Sequence, residues 1–124
     1  MTNNLPKIIE LDFTYLELHS DFVISSIKEG VVFDNEHREQ LFAIFDTYYR
    51  QKNFGYISDR KFDYTINPTS YLKSQTYKNL VGYAVHCYSD SNYATAMFEK
   101  RFYDRAFAAF YSLEECKNWV KKLL

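Results

Sequence analysis

The stretch FGYISDRKFDYTINPTSYL, Phe54 to Leu72, decides how this chain is read. Phe54 to Ser58 reads as a buried strand, the residues after it as a polar loop, and Asn67-Pro68 as the opening of a helix. Asn is a favoured helix cap, and Pro fits the first helical position, where its missing N–H would have been unpaired anyway. A loop that leaves a strand end and feeds a helix is where α/β domains usually place function. This loop carries Asp59, Arg60, Lys61, Asp63, Tyr64, Thr69 and Ser70, and no enzyme signature sits in it.

Working back toward the N-terminus, Ile8 to Phe13, Thr14 to His19 and Phe22 to Ile27 are rich in strand formers. The His19-Ser20-Asp21 turn signal separates the last two, so together they predict an antiparallel meander. A helix follows from the cap residue Asp34, with Leu41, Phe42, Phe45, Tyr48 and Tyr49 at helical spacing on its buried side. Working forward, a helix is expected over roughly Pro68 to Lys78. The run LVGYAVHCY, Leu80 to Tyr88, then reads as a central strand covered on both faces. Ser91 or a neighbour caps the next helix, with Ala94, Met97, Phe98 and Phe102 on one side, and Ala106 to Tyr111 forms a short strand. Ser112-Leu113-Glu114-Glu115 has the spacing of a capping box for the final helix, whose buried stripe is Cys116, Trp119, Val120 and Leu123. The order β-β-β-α-β-α-β-α-β-α predicts one α/β domain over residues 1–124, with a mixed sheet of five or six strands and four helices.

Composition narrows the function. The chain has 124 residues, 47% hydrophobic and 25% charged, enough for one domain with a substantial core. Net charge is −1, from 15 basic and 16 acidic residues, which disfavours a nucleic-acid partner. The N-terminal MTNNLPKIIELDF has no apolar core of signal-peptide length, and no run reaches membrane-spanning length. Cys87 and Cys116 fall on expected buried positions and need not pair, so a cytoplasmic location is expected. Twelve tyrosines are more than a core absorbs without partners for their hydroxyls. Tyr48, Tyr49, Tyr56, Tyr64, Tyr71 and Tyr83 are therefore either core and rim residues or the lining of a pocket for a small apolar or amphipathic ligand.

The final phrase AFAAFYSLEECKNWVKKLL resembles the end of the anti-sigma-factor-antagonist (STAS) domain, in particular its SpoIIAA-like branch. Phe107, Phe110, Cys116, Trp119 and Val120 carry that resemblance, together with the order of elements over the whole chain. The resemblance implies a non-enzymatic regulatory or protein-interaction module with no cofactor, whose partner is a protein. It also implies a Ser or Thr that a kinase modifies at the start of the helix after the central strand, and Thr69 and Ser70 stand at that place. Here the sequence reads INPTSYL, where the family's motif has Asp followed by Ser-Ser or Ser-Thr and Gly. SpoIIAA-like relatives outside sporulation are suspected of binding small or lipidic molecules, which gives the alternative function. A homodimer is compatible with either reading.

The candidate interaction residues are accordingly Asp59, Arg60, Tyr64, Asn67, Thr69, Ser70 and Tyr71. Arg60 is suited to a partner's carboxylate or phosphate, whereas a solvated loop would leave Asp59, Arg60, Lys61 and Asp63 in weak surface ion pairs. His86 and Cys87 are adjacent on an expected strand, point to opposite faces and cannot act on one atom. His19 and His37 are isolated, so no metal site is expected. Without a nucleophile–base spacing or a glycine-rich phosphate loop, no enzyme is expected either.

Overall fold

The structure, a computed structural model, describes residues 5–74 and 76–124. The first four residues of the N-terminal stretch, and Gln75 inside the expected 68–78 helix, lie outside the described residues. The strands are β1 (Lys7–Glu10), β2 (Thr14–Leu18), β3 (Phe22–Ile27), β4 (Val32–Phe33), β5 (Phe54–Asp59), β6 (Thr65–Ile66), β7 (Leu80–His86) and β8 (Ala106–Phe110). The helices are α1 (Asn35–Tyr48), α2 (Ser70–Ser74), α3 (Asp90–Glu99) and α4 (Leu113–Lys122). The main sheet has six strands in the order β1-β2-β3-β5-β7-β8. The first three are antiparallel, and β3, β5, β7 and β8 are parallel, as the order of elements predicted.

Each parallel strand is added beside the last in the same direction, so right-handed crossovers put α1, α2 and α3 on one face. The main core lies there, with Leu41, Phe45, Tyr71 and Ala96 from the helices over strand residues such as Leu16, Val23 and Tyr56. Across the parallel strands, Tyr56, Tyr83 and Phe107 stand in register. Their rings stack at 4.8 and 5.2 Å between centroids. Of the six tyrosines considered for a pocket, Tyr49, Tyr56, Tyr71 and Tyr83 are buried in the core, and Tyr64 lines the groove described below.

Helix α4 packs on the other face, through Cys116 and Val120 on Ile24, Ile57 and Ala84. Gly55 and Gly82 pair across β5 and β7 beneath it. A Cβ at Gly55 would lie 2.2 Å from Val120, and one at Gly82 would lie 2.3 Å from Leu123. The two glycines let the helix settle directly onto the strands.

Several boundaries differ from the sequence reading. The helix expected over Pro68–Lys78 is only Ser70–Ser74. The chain enters and leaves it by i→i+3 turns, and the Thr76 hydroxyl takes the Lys73 carbonyl, which ends the helical ladder. Helix α3 is capped by Ser89, the neighbour allowed for, rather than Ser91. Its buried side is Ala96 and Glu99; of the expected stripe, Ala94 and the 51% exposed Phe98 face outward, Met97 is half-buried and Phe102 packs against the core. The cause is Glu99, which faces inward to meet a buried arginine. Asp34 caps α1 as expected, with His37 completing the box by accepting the Asp34 N–H at 3.0 Å. Two short strands were not expected: β4 and β6 form a separate parallel pair beside the main sheet.

Candidate functional site

Strand β5 delivers its last residues to opposite faces of the sheet, as alternation requires. Asp59 turns to the α4 face, where its Oδ1 accepts from the Tyr88 hydroxyl at 2.6 Å and stands 3.1 Å from His86 Nδ1. Ser58 and Arg60 turn to the face of α1, α2 and α3. The sequence reading therefore grouped residues that the sheet separates.

Arg60 is 7% exposed, and each of its side-chain nitrogens is hydrogen-bonded. Its Nε donates to Ser58 Oγ at 2.7 Å, and its two terminal nitrogens donate to Glu99 Oε2 at 3.1 Å and Oε1 at 2.7 Å. Nη2 also reaches Tyr71 Oη at 3.2 Å, and the Tyr71 hydroxyl in turn donates to Glu99. This is a bidentate pair in which Glu99 Oε1 also accepts from Tyr71, and such added hydrogen bonds make a buried ion pair tolerable. Burial alone would lower the Arg60 pKa, but Tyr64, Tyr71 and Glu99 around it hold the guanidinium well above its ordinary value. Burial, with Tyr83 and Glu99 nearby, pushes the Tyr71 phenol well up, so it stays a donor. The expectation of a solvated charged loop is corrected at this point, because Arg60 finds its carboxylate on α3.

A groove of about 360 Å³ opens above this pair. One wall is the segment Phe62 to Ile66 with Pro68, and the other is α3, through Ser91, Asn92, Thr95, Phe98 and Glu99. Of the residues singled out in sequence, Arg60 and Tyr64 line it. Asn67 holds the wall in place: its Nδ2 donates to Asp34 Oδ1 at 3.1 Å, and its Oδ1 accepts from the Thr69 N–H at 3.1 Å. Thr69 is exposed, while Ser70 and Tyr71 are completely buried. Ser70 Oγ accepts from Arg38 Nη2 at 3.1 Å, so as folded it is open neither to a partner nor to a kinase. Burial corrects the expectation that Ser70 and Tyr71 present themselves for contact.

Arg38, missed in the sequence, is a second buried guanidinium, at 1% exposure. It lies 4.5 Å from the Phe33 ring centroid and 5.3 Å from that of Tyr71. Among the described residues it has no carboxylate partner, and its Nε, Ser74 Oγ and Tyr103 Oη have no hydrogen-bond partner. Position 38 lies three residues before Leu41 and seven before Phe45, on the same helical stripe, and that spacing is the signal for its burial. Glu99 gave no such signal, because it lies off the stripe expected for α3.

Cys87 and Cys116 are free and buried. Burial pushes the Cys116 thiol up to about 12. Among the described residues no helix is long and apolar enough to cross a membrane.

No protein-family model and no curated protein matches this sequence. Among solved structures the chain is similar to an uncharacterised protein of the DUF3478 family, with a SpoIIAA-like fold, from Shewanella loihica PV-4. The TM-score is 0.61 at 15% identity, covering 97% of this chain and 98% of that one. The fold of this chain is SpoIIAA-like. At that identity the likeness concerns the fold alone.

Proposed function

We propose that this chain is a non-enzymatic protein-interaction module of the cytoplasm, related in role to STAS regulatory domains. Its partner binds in the groove between the 60–68 segment and α3. The observation that carries this reading is the make-up of the groove. Phe98, 51% exposed, sits at a rim that also includes Phe62, Ile66 and Pro68, over a floor closed by the Arg60–Glu99 pair. Exposed aromatic and aliphatic side chains around a concave surface mark contact sites. The groove's lining has no His or Cys, and Glu99 is committed to Arg60 and Tyr71 rather than poised to take a proton. That favours binding over catalysis. Of the two hydroxyls beside that segment, Thr69 is exposed and accessible to modification, and Ser70 is not.

The test is affinity capture from the source cells with the wild-type chain, Phe98→Glu, and Ile8→Glu as a control on the far edge strand. A protein recovered by the wild type and the control but not by Phe98→Glu is the expected result. Recovery that ignores Phe98→Glu would sink the proposal. The groove's volume also falls in the range of small-ligand sites, which supports the second reading, an amphipathic ligand. A bound small molecule in the native mass spectrum of wild-type protein, lost in Phe98→Glu, would favour it.

A further inference from the structure

The small β4–β6 sheet uses only one side of β6. Thr65 N–H donates to Val31 O and Asn67 N–H to Phe33 O, both at 2.9 Å, so residues 65 and 67 turn their peptide groups toward β4. In a parallel ladder the alternate residues point the other way. Those are Tyr64 and Ile66; among the described strands β6 pairs with β4 alone, so the peptide groups of these two residues lie on its outer edge. Tyr64, Thr65 and Ile66 line the groove, so this unpaired edge borders it. An unpaired strand edge is a template for another extended backbone.

We infer that the groove takes its partner as an extended peptide segment, which adds a third strand to β6. Hydrogen bonds from the N–H and C=O of Tyr64 and Ile66 hold the backbone of that segment. Every second side chain is then directed at the space between Ile66 and Phe98, so the fitting peptide carries an apolar residue there. A globular surface or a compact small molecule would leave the two edge peptide groups unpaired, whereas an extended chain matches their spacing. The inference rests on the groove being the binding site and goes beyond it by specifying the partner's backbone conformation.

The probe is a set of linear peptides selected from a random library on the immobilised full chain. Binding is measured to wild type, Phe98→Glu and Ile66→Pro. Proline at 66 removes the N–H on the outer edge together with the Ile66 side chain, and keeps the Thr65 and Asn67 N–H groups that bond β4. Each selected peptide is also resynthesised with single N-methyl groups, which leaves the protein untouched if Ile66→Pro folds poorly. Loss of binding in Phe98→Glu, with about tenfold weakening by Ile66→Pro and by N-methylation at alternate peptide positions, is expected. Slower amide exchange at Tyr64 and Ile66 in the complex is expected with it. Peptides that need Phe98 but tolerate every N-methyl group would overturn strand addition and leave the groove standing. Peptides indifferent to Phe98→Glu, or no selected peptide at all, would overturn both.

Discussion

Two arginines are buried on the same side of the sheet, and the protein treats them differently. Arg60 has a bidentate carboxylate, a serine and a tyrosine around it. Arg38 has aromatic faces and a single serine hydroxyl, with its Nε left without a bond. An arginine does not shed its proton when buried, so each site must manage a full charge. The first does so by pairing, which fixes α3 against the end of β5 and closes the floor of the groove. The second relies on ring quadrupoles, which attract a cation with less energy and less direction. One arginine is therefore a fastener between named atoms, and the other a filler of polarisable space.

The comparison breaks most visibly at Glu99. Glu99→Gln keeps the shape but strips Arg60 of its counter-charge, and should cost about 3–5 kcal/mol in urea unfolding. For a domain whose total stability is on the order of 5–15 kcal/mol, that is a large share. The double change Arg60→Met with Glu99→Leu should recover most of the loss, since a buried pair often does little better than apolar residues of similar volume. The residual deficit belongs to the Ser58 and Tyr71 hydroxyls, which lose partners. A double variant as unstable as Glu99→Gln alone would show that the charge was not the cause.

That Arg38 is buried was within reach of the sequence; that Glu99 pairs with Arg60 was not. Strand periodicity, caps and the run from Leu80 to Tyr88 were enough for the mixed six-stranded sheet and its four helices, because each signal is local. Arg38 sat on the apolar stripe of α1, and a charge on such a stripe announces burial, whereas Glu99 lay off the stripe expected for α3. Its partner is a tertiary fact, and Arg60 is 39 residues away from Glu99. Phe98 misled the reading of α3 because a large apolar residue was assumed to face the core, although the helix is turned by the carboxylate beside it. The β4–β6 pair was invisible for a related reason: two residues are too few to show alternation. The groove exists only once the segment carrying β6 and α3 face each other.

Arg38→Met should have a smaller effect than Glu99→Gln, changing stability by less than about 1.5 kcal/mol in either direction. Met fills much of the same volume and removes the unbonded Nε, while Ser70 loses one hydrogen bond worth about 1 kcal/mol and the ring contacts lose a cation. The measurement is the same urea titration, run beside Glu99→Gln. A loss of 3 kcal/mol or more would mean that Arg38 has a counter-charge after all, and the contrast between the two arginines would collapse.

The finest distinction is electrostatic. Burial pushes the Tyr103 phenol up to about 12, while Arg105 and Arg38 pull it down. The unfolded chain gives up that proton near 10 and the folded chain holds it longer, so this group's contribution to stability is intact below pH 10. It is lost as the pH rises through 12, because the unfolded state then binds fewer protons than the folded one. Ultraviolet titration of native protein, with Tyr103→Phe as the blank, should place this ionisation near the upper end of that window. In Arg38→Met it should move higher still, since one of the positive charges favouring the phenolate is gone. If the Tyr103 titration is unmoved by Arg38→Met, the Arg38 charge is not felt at that hydroxyl, and the ring faces around the guanidinium screen it more completely than its position among Phe33, Tyr71 and Tyr83 implies.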